Sequence, residues 1–311
     1  MVFKKYPSIE NHHRTKEINW WLSRFPEIAD ARYIIQEKIH GSNVQFVICP
    51  NKPVRIFSRK LEICPANTGF GWVWGLVDGM YAKPFNRLQT ISNNTGNCLR
   101  IYGEAFGHQK GVTYGGPGER FIAFFDLMIN DVWQPAATTI DWFNTNLIYM
   151  LVPQLAICKG LSTALAYPNN GISNWASAAD DNIMEGIVIK PYGRVFGTSS
   201  GSLFYIKSKN KKFVEKTRTT TTVPRVVNSA VERLHLLFLE YINENRVLSV
   251  FSKHGEIEST TQFADYIRLV INDASADFIK DHPEFKVLGR QDRGQVTKAG
   301  GYILTILKKY L

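Results

Sequence analysis

The period of the hydrophobic pattern changes part-way along this chain, and that change limits what it can fold into more than any single motif does. From Tyr33 to about Ile206, short β-rich runs alternate with Gly, Pro and Asn punctuation; examples are Val44-Gln45-Phe46-Val47-Ile48, Arg120-Phe121-Ile122-Ala123-Phe124-Phe125-Asp126 and Gly186-Ile187-Val188-Ile189-Lys190. Later the apolar side chains return at three- and four-residue steps instead: Val231, Leu234, Leu237, Phe238, Tyr241 and Ile242, then Phe263, Tyr266, Ile267, Val270, Ile271 and Ala274. Between the two regimes, from Glu215 to Asn228, a threonine cluster and Pro224 interrupt any period, as a connector between packed units would.

The expected architecture is therefore α+β. Residues 1–222 should form a domain of mainly antiparallel sheet with inserted helices, and residues 223–311 a small all-helical domain. Thr260 or Thr261 is placed to cap the second helix, and a third should run through Tyr302, Ile303, Ile306, Leu307 and Tyr310.

Composition narrows the partners. The 37 Lys and Arg exceed the 27 Asp and Glu, a formal charge of +10 that favours a polyanion such as nucleic acid by attraction to phosphate and release of its counterions. Cys49, Cys64, Cys98 and Cys158 lie far apart with no Cys-x-x-Cys pair, so neither a disulfide framework nor a zinc site is suggested and a reducing compartment is the simpler expectation. No apolar run approaches the ~18 residues of a membrane span, and the opening Met1-Val2-Phe3-Lys4-Lys5-Tyr6 lacks the hydrophobic stretch of a signal peptide, which points to the cytosol, or to the host cytoplasm for a viral chain.

The chemistry-bearing residues fall in five elements. Glu37-Lys38-Ile39-His40-Gly41-Ser42-Asn43 contains a Lys-x-x-Gly pattern of the kind found where a lysine amine becomes bonded to a nucleoside monophosphate. It is followed by Ser58-Arg59, Tyr102-Gly103-Glu104-Ala105-Phe106-Gly107, Glu185-Gly186-Ile187-Val188-Ile189-Lys190, and Lys207-Ser208-Lys209-Asn210. A bare Lys-x-x-Gly is common by chance; the ordered set is far more specific.

In this set the chain resembles the covalent nucleotidyltransferase superfamily of ATP-dependent ligases and capping enzymes, and within it the phage RNA ligase 2 type, to which the kinetoplastid RNA-editing ligases are related. The likeness runs almost end to end. Phe3-Lys4-Lys5-Tyr6-Pro7-Ser8-Ile9-Glu10-Asn11-His12, Gln109-Lys110-Gly111-Val112-Thr113-Tyr114, and Asn245-Arg246 followed by Ser252-Lys253-His254-Gly255-Glu256-Ile257 look like that ligase type in particular.

The resemblance implies an antiparallel-sheet nucleotidyltransferase domain, ATP-grasp-like, in which Lys38 carries AMP. It implies that Glu104 holds the ribose hydroxyls, that Phe125 and Val188 sandwich adenine, and that Glu37 and Asn43 also line the nucleotide site. Arg59 would contact phosphate or the RNA terminus, His40 would assist at the phosphates, and Glu185 would support a catalytic metal, Mg2+ or Mn2+. In the helical domain Asp273 and Asp277, four residues apart on one flank of a helix, and Arg246 resemble residues that serve the transfer of AMP to RNA.

Elementary chemistry accounts for the residue types. A lysine attacking phosphorus must be neutral, and at an unperturbed pKa near 10.4 only about 0.1 % is, a handicap of roughly 4 kcal/mol at neutral pH. Lys190, Lys207 and Lys209, gathered around the same phosphate, would ease that handicap and neutralise charge on the leaving pyrophosphate. Alternation puts Lys207, Lys209 and Lys211 on one strand face, within a basic run that continues through Lys212, Lys216 and Arg218. In a flat strand, however, Glu185 and Lys190 point to opposite faces, so a twist, a bulge or a metal-bound water has to bring Glu185 to the site. Gly41 would serve a tight turn or a close approach to the nucleotide.

The expected function is that of a monomeric ATP-dependent RNA ligase joining 3′-OH and 5′-phosphate ends, at nicks in duplex RNA, for RNA repair or editing. A DNA ligase, a GTP-dependent capping guanylyltransferase and an inactive RNA-binding homologue are the alternatives.

Overall fold

The computed structural model describes residues 3–59, 61–66, 69–109, 112–116, 118–146, 150–175, 182–214 and 230–311, with the side chains of 108 and 109 left aside. The chain divides into two compact units, Met1–Lys212 and Phe213–Leu311. The connector read at Glu215 to Asn228, the boundary placed near residue 222, and Lys216 and Arg218 lie outside the described residues.

In the first unit the elements run β1 (Glu10–Asn11), α1 (Thr15–Arg24), β2 (Arg32–Glu37), β3 (Ser42–Ile48), β4 (Arg55–Ser58), α2 (Trp72–Asp78), α3 (Ala82–Thr95), β5 (Leu99–Gln109), β6 (Val112–Thr113), β7 (Arg120–Ile129), β8 (Val132–Trp133), α4 (Ala136–Asn146), β9 (Gln154–Lys159), α5 (Leu161–Leu165), β10 (Gly186–Pro191) and β11 (Ile206–Lys209). Among the described residues they build two sheets, ordered β1-β11-β10-β2-β9 and β4-β3-β5-β7-β8, with β6 on β5. All the pairings are antiparallel except β1 with β11.

Period-2 alternation gives each sheet an oily outer face. Val44, Phe46, Ile48, Ile101, Ile122 and Phe124 bury that face of the second sheet against Val73 and Val77 of α2, Phe85 and Leu88 of α3 and Phe143 of α4. On the first sheet Tyr33, Ile35, Ile187, Ile189 and Ile206 pack with Ile18 and Trp21 of α1 and with Leu161 and Ala164 of α5. At roughly 25 cal/mol per Å² of apolar surface, each fully buried Ile or Phe contributes about 1.5–3 kcal/mol, which is why register is strongly specified here. The inner faces carry the polar residues, and a smaller cluster of Tyr6, Tyr102, Met128, Leu203 and Tyr205 joins the two sheets.

Two irregularities aim side chains at those inner faces. On β7 the register slips between Tyr102↔Asp126 and Gly103↔Phe124, leaving Phe125 as the extra residue of a β-bulge. Phe124 therefore stays in the outer core while Phe125 and Asp126 both turn inward. The second is Gly186, whose φ of +152° lies where side chains are rarely tolerated, and where an added Cβ would meet the Ser208 carbonyl oxygen at 2.1 Å.

The cysteines correct the expectation drawn from their spacing. Cys49, just past β3, and Cys98, just before β5, form a disulfide with Cα atoms 4.2 Å apart. The β3–β5 register, which sets Ile48 opposite Leu99, brings together residues 49 apart in sequence. Cys64 and Cys158 are free. No helix among the described residues is long and apolar enough to cross a membrane.

The second unit is helical: α6 (Ala230–Leu239), α7 (Glu244–His254), α8 (Phe263–Asp281), α9 (Arg290–Val296) and α10 (Gly300–Leu307). Its core gathers Leu234, Phe238, Val247, Val250, Val270, Ala274, Phe278, Ile303 and Leu307. The structure adds α7 and α9 to the helices read from the sequence. It also moves the cap of α8: a 3-10 turn, Thr260–Gln262, precedes the helix, and Ser259 with Gln262 forms the capping box.

Candidate active site

Lys38 leaves the end of β2, where its backbone N–H donates to the Gly186 carbonyl at 2.9 Å. Its Nζ donates to Glu185 Oε2 at 2.6 Å. The same oxygen lies 3.3 Å from His40 Nδ1, and Lys209 Nζ stands 2.8 Å from the other, Oε1. Glu185 is 3 % exposed, whereas Lys38 keeps 20 % of its side-chain surface and Lys209 13 %. Burial opposes ionisation of Glu185, but Lys209, Lys38 and His40 outweigh it and hold its carboxyl well below the usual range.

Gly186 explains how Glu185 arrives there. Regular alternation would turn Glu185 outward with Ile187, and the unusual φ at Gly186, together with the close pass against Ser208, reverses it. In the β10–β11 register Gly186 faces Lys209 and Val188 faces Lys207, so both lysines share the inner face with Val188. Lys211 has left the strand for a 3-10 turn, Lys211–Phe213, and so does not continue the row.

Across the space stands the second sheet. Asn43 of β3 pairs with Glu104 of β5, so the two polar side chains are neighbours on its inner face. Burial pushes the Glu104 carboxyl up to about 7, against the pull of Lys38, Arg59 and Lys209 and with the push of Glu185. Arg59, half-buried, therefore belongs to the same electrostatic group. Gly41 serves the scaffold rather than a ligand: a Cβ there would lie 2.5 Å from the Ala105 carbonyl oxygen and 3.0 Å from Glu104 Cγ. His40 is fixed through its backbone N–H, which donates to the buried hydroxyl of Tyr114 at 2.9 Å.

Three expected members of the site are engaged elsewhere. Lys190 is not drawn to the Glu185 group; its Nζ donates to Asp126 Oδ1 at 2.9 Å and to the Phe125 carbonyl at 3.1 Å, and Tyr6 donates to Asp126 Oδ2 at 2.5 Å. Five residues of strand, on the order of 3.3 Å each, separate Lys190 from Glu185, too far for one phosphate. Burial works against charge at both ends of the pair, pushing Asp126 up and Lys190 down, while each partner's charge pulls the other back. Glu37 pairs with Ile187 and so points to the outer face, where Ser173 Oγ and the Asn174 N–H donate to its carboxylate. Its neighbour Gln36, which the sequence reading passed over, takes the inner face opposite Val188.

The third case is Arg246. In the second unit its Nη1 donates to Asp273 at 2.8 Å and Asp277 at 2.9 Å, and Lys253 also bonds Asp273. The three residues come together, but as a 4 %-exposed guanidinium neutralised by two carboxylates. Burial resists ionisation of Asp273, yet Lys253 and Arg246 hold it down at about 2.

Besides Gln36, sequence reasoning missed Asp126, Tyr6 and Tyr114 here. Asp126 immediately follows Phe125, and Tyr6 and Tyr114 sit in the stretches that carry the ligase resemblance, so a signal existed at each. Among the described residues no three His, Cys, Asp or Glu side chains converge as a metal cage. Magnesium does not need one, since it usually binds through one or two carboxylates plus substrate phosphates, and Glu185 with Glu104 offers that number.

The arrangement is a lysine amine on a buried carboxylate, a second amine and an imidazole beside it, and a facing Asn–Glu pair, all opening on the space between two sheets. It defines the class of covalent nucleotidyltransferases. Comparison with known proteins names the family: residues 31–209 match the model of RNA ligase, and residues 225–300 match that of T4 RNA ligase 2 C-terminal, so the chain belongs to the RNA ligase family. It is also similar to solved structures of an RNA ligase from Naegleria gruberi. One without ligand is 17 % identical, with 67 % of this chain and 56 % of that one covered and a TM-score of 0.48. One with ATP and Mn is 16 % identical, with 68 % and 57 % covered and a TM-score of 0.46. The chain thus spans little more than half the length of those structures.

Proposed function

We propose that this chain is an ATP-dependent RNA ligase that joins 3′-OH and 5′-phosphate RNA ends, at nicks in duplex RNA, through lysyl-AMP and RNA-adenylate intermediates. The observation that carries the reading is the convergence of Lys38, Lys209 and His40 on the single carboxylate of Glu185. Glu185 lies buried beneath these groups while Lys38 and Lys209 keep 20 % and 13 % of their side-chain surface, so the amines still offer charge to an anion such as a triphosphate. Membership of the RNA ligase family supports ATP and RNA as its substrates.

In the first step Lys38 Nζ, having released one proton to solvent, attacks the α-phosphate, the bond to pyrophosphate breaks, and a second N–H proton passes to solvent to leave a phosphoramidate. Lys209 and Lys207, on one strand face, neutralise charge on the phosphates. Glu104 and Asn43 accept from and hold the ribose, and Phe125 with Val188 brackets the base. Glu185 and Glu104 would hold a divalent metal, which would add charge stabilisation at the phosphates. AMP next passes to an RNA 5′-phosphate, and a 3′-OH then attacks that phosphorus and expels AMP. Arg246, Asp273 and Asp277 act for RNA in the second unit by setting the shape of α7 against α8, not by offering free charge. A cytosolic setting is supported by the need for ATP and RNA and opposed by the Cys49–Cys98 disulfide, and the working form is a monomer.

Incubation with labelled ATP, then denaturation, should leave label on the wild-type chain and none on Lys38→Ala. An adduct that persists in Lys38→Ala, or one formed with GTP and not ATP, would sink this reading. Sealing assays on nicked RNA, DNA and mixed duplexes then decide the acceptor.

A further inference from the structure

On the inner face of the first sheet, Gln36 is a polar residue that no step above uses. Gln36 is 2 % exposed, and its Oε1 is fully buried with no hydrogen-bond partner. An amide oxygen left so is a standing cost, because its hydration is lost and nothing replaces it. Native structures keep such groups where a ligand or a water completes them.

Position says which. Gln36 pairs with Val188 across β2 and β10, so both project from the same face, with Cβ atoms about 4.5–5.5 Å apart. Lys190, two residues on from Val188 on that face, sets its Nζ 5.0 Å from the Phe125 ring centroid. The face that bears Gln36 and Val188 is therefore the one that looks at Phe125, across the slot assigned to the base. Glu37, next in sequence, has its carboxylate filled by Ser173 and Asn174 on the opposite side and cannot serve.

We propose that Gln36 is a base-reading residue, its side-chain oxygen accepting a hydrogen bond from the exocyclic 6-amino group of the adenine held between Phe125 and Val188. The inference rests on the nucleotidyltransferase reading above and adds to it the contact that separates adenine from other purines. Guanine presents an acceptor where adenine presents the amine, so Oε1 would face an oxygen. Loss of one such contact is expected to cost on the order of ten- to a hundredfold in discrimination.

The test compares AMP with purine riboside monophosphate, which lacks the 6-amino group, on wild type and on Gln36→Met, a substitution of similar volume with no amide. Direct binding to the full chain is measured by calorimetry, and lysyl-AMP formation is followed with the two triphosphates. Wild type should prefer the adenine nucleotide by about ten- to a hundredfold. Gln36→Met should lose that preference by weakening only on the adenine nucleotide, with purine riboside handled as in wild type and the melting temperature of the free protein unchanged or raised. An unchanged ratio in Gln36→Met overturns the inference while leaving the enzyme reading standing. Equal weakening on both nucleotides also overturns it, since that is what a merely structural glutamine would give. If wild type binds neither nucleotide and forms no adduct, the enzyme reading fails and takes this one with it.

Discussion

Two charged clusters, one in each unit, join cations to carboxylates and bury opposite signs. In the first the buried group is the Glu185 carboxylate, 3 % exposed, and Lys38 and Lys209 around it keep 20 % and 13 % of their side-chain surface. In the second the buried group is the Arg246 guanidinium, 4 % exposed, held by the more exposed Asp273 and Asp277, which Lys253 and Lys280 also reach. A cluster that turns carboxylates outward has little to offer an anion and holds helices together instead. One that turns amines outward keeps its buried carboxylate ionised and still attracts phosphate. Side-chain type alone therefore does not say which cluster does chemistry; which sign is buried does.

The difference can be broken at several points. Lys38→Ala should abolish the AMP adduct outright while leaving the thermal unfolding of the chain in place, read by gel autoradiography and calorimetry. Arg246→Ala should instead act on folding. Removing the buried guanidinium takes away the partner that Asp273 and Asp277 share and leaves them Lys253 and Lys280, at a cost on the order of 3 kcal/mol, seen in denaturant unfolding, with AMP transfer to Lys38 unaffected under folding conditions. If Arg246→Ala spared stability and stopped the adduct, the contrast between the clusters would collapse. Lys209→Ala removes one amine from around Glu185 and should slow adduct formation by about 10²–10³-fold in a single-turnover assay.

Acid sharpens the comparison. Asp273 stands at about 2 in the folded chain against its ordinary 3.8, so its stabilising contribution is complete above about pH 5 and is lost as pH falls through 3.8 towards 2. That loss should amount to about 2 kcal/mol in unfolding measurements on the wild type, and Asp273→Asn should flatten it. Glu104 responds in the other sense. Its carboxyl, raised to about 7, favours the folded chain while protonated, and that contribution fades as pH rises from about 4.5 through 7. Nucleotide binding that needs ionised Glu104 should weaken by at most about tenfold for each pH unit below 7, and calorimetry in buffers of different ionisation enthalpy should register proton release. Binding independent of pH between 5.5 and 7.5 would remove Glu104 from the ribose contact.

Much of the scaffold was legible because it depends on local pattern. Alternation marked β3, β7 and β10, and it separated core-facing Phe124 from Phe125. Three- and four-residue steps marked α6, α8 and α10, while α7 and α9 went unnoticed because Arg246, Ser249, Ser252 and Lys253 in one and Arg290, Asp292 and Arg293 in the other dilute the apolar stripe. In the site, Lys38, Glu185 and Lys209 do meet, and Asn43 with Glu104 faces them. Lys190 and Glu37, expected at the nucleotide, each take a partner from a distant strand or loop, Asp126 in one case and Ser173 with Asn174 in the other, which no local pattern announces.

What the sequence determined alone was the period of each segment, the excess of positive charge and the inventory of reactive side chains, since these depend only on residue type and on steps of two or four along the chain. The tertiary structure decided which charges meet. A bulge at Phe125 turned Asp126 towards Lys190, an unusual φ at Gly186 turned Glu185 towards Lys38 and Lys209, and strand register set Cys49 against Cys98 and left Gln36 beside Val188 on the inner face. The physical reason is range: hydrophobic periodicity is local, whereas an ion pair or a hydrogen bond is made only where two distant segments arrive within about 3 Å of one another.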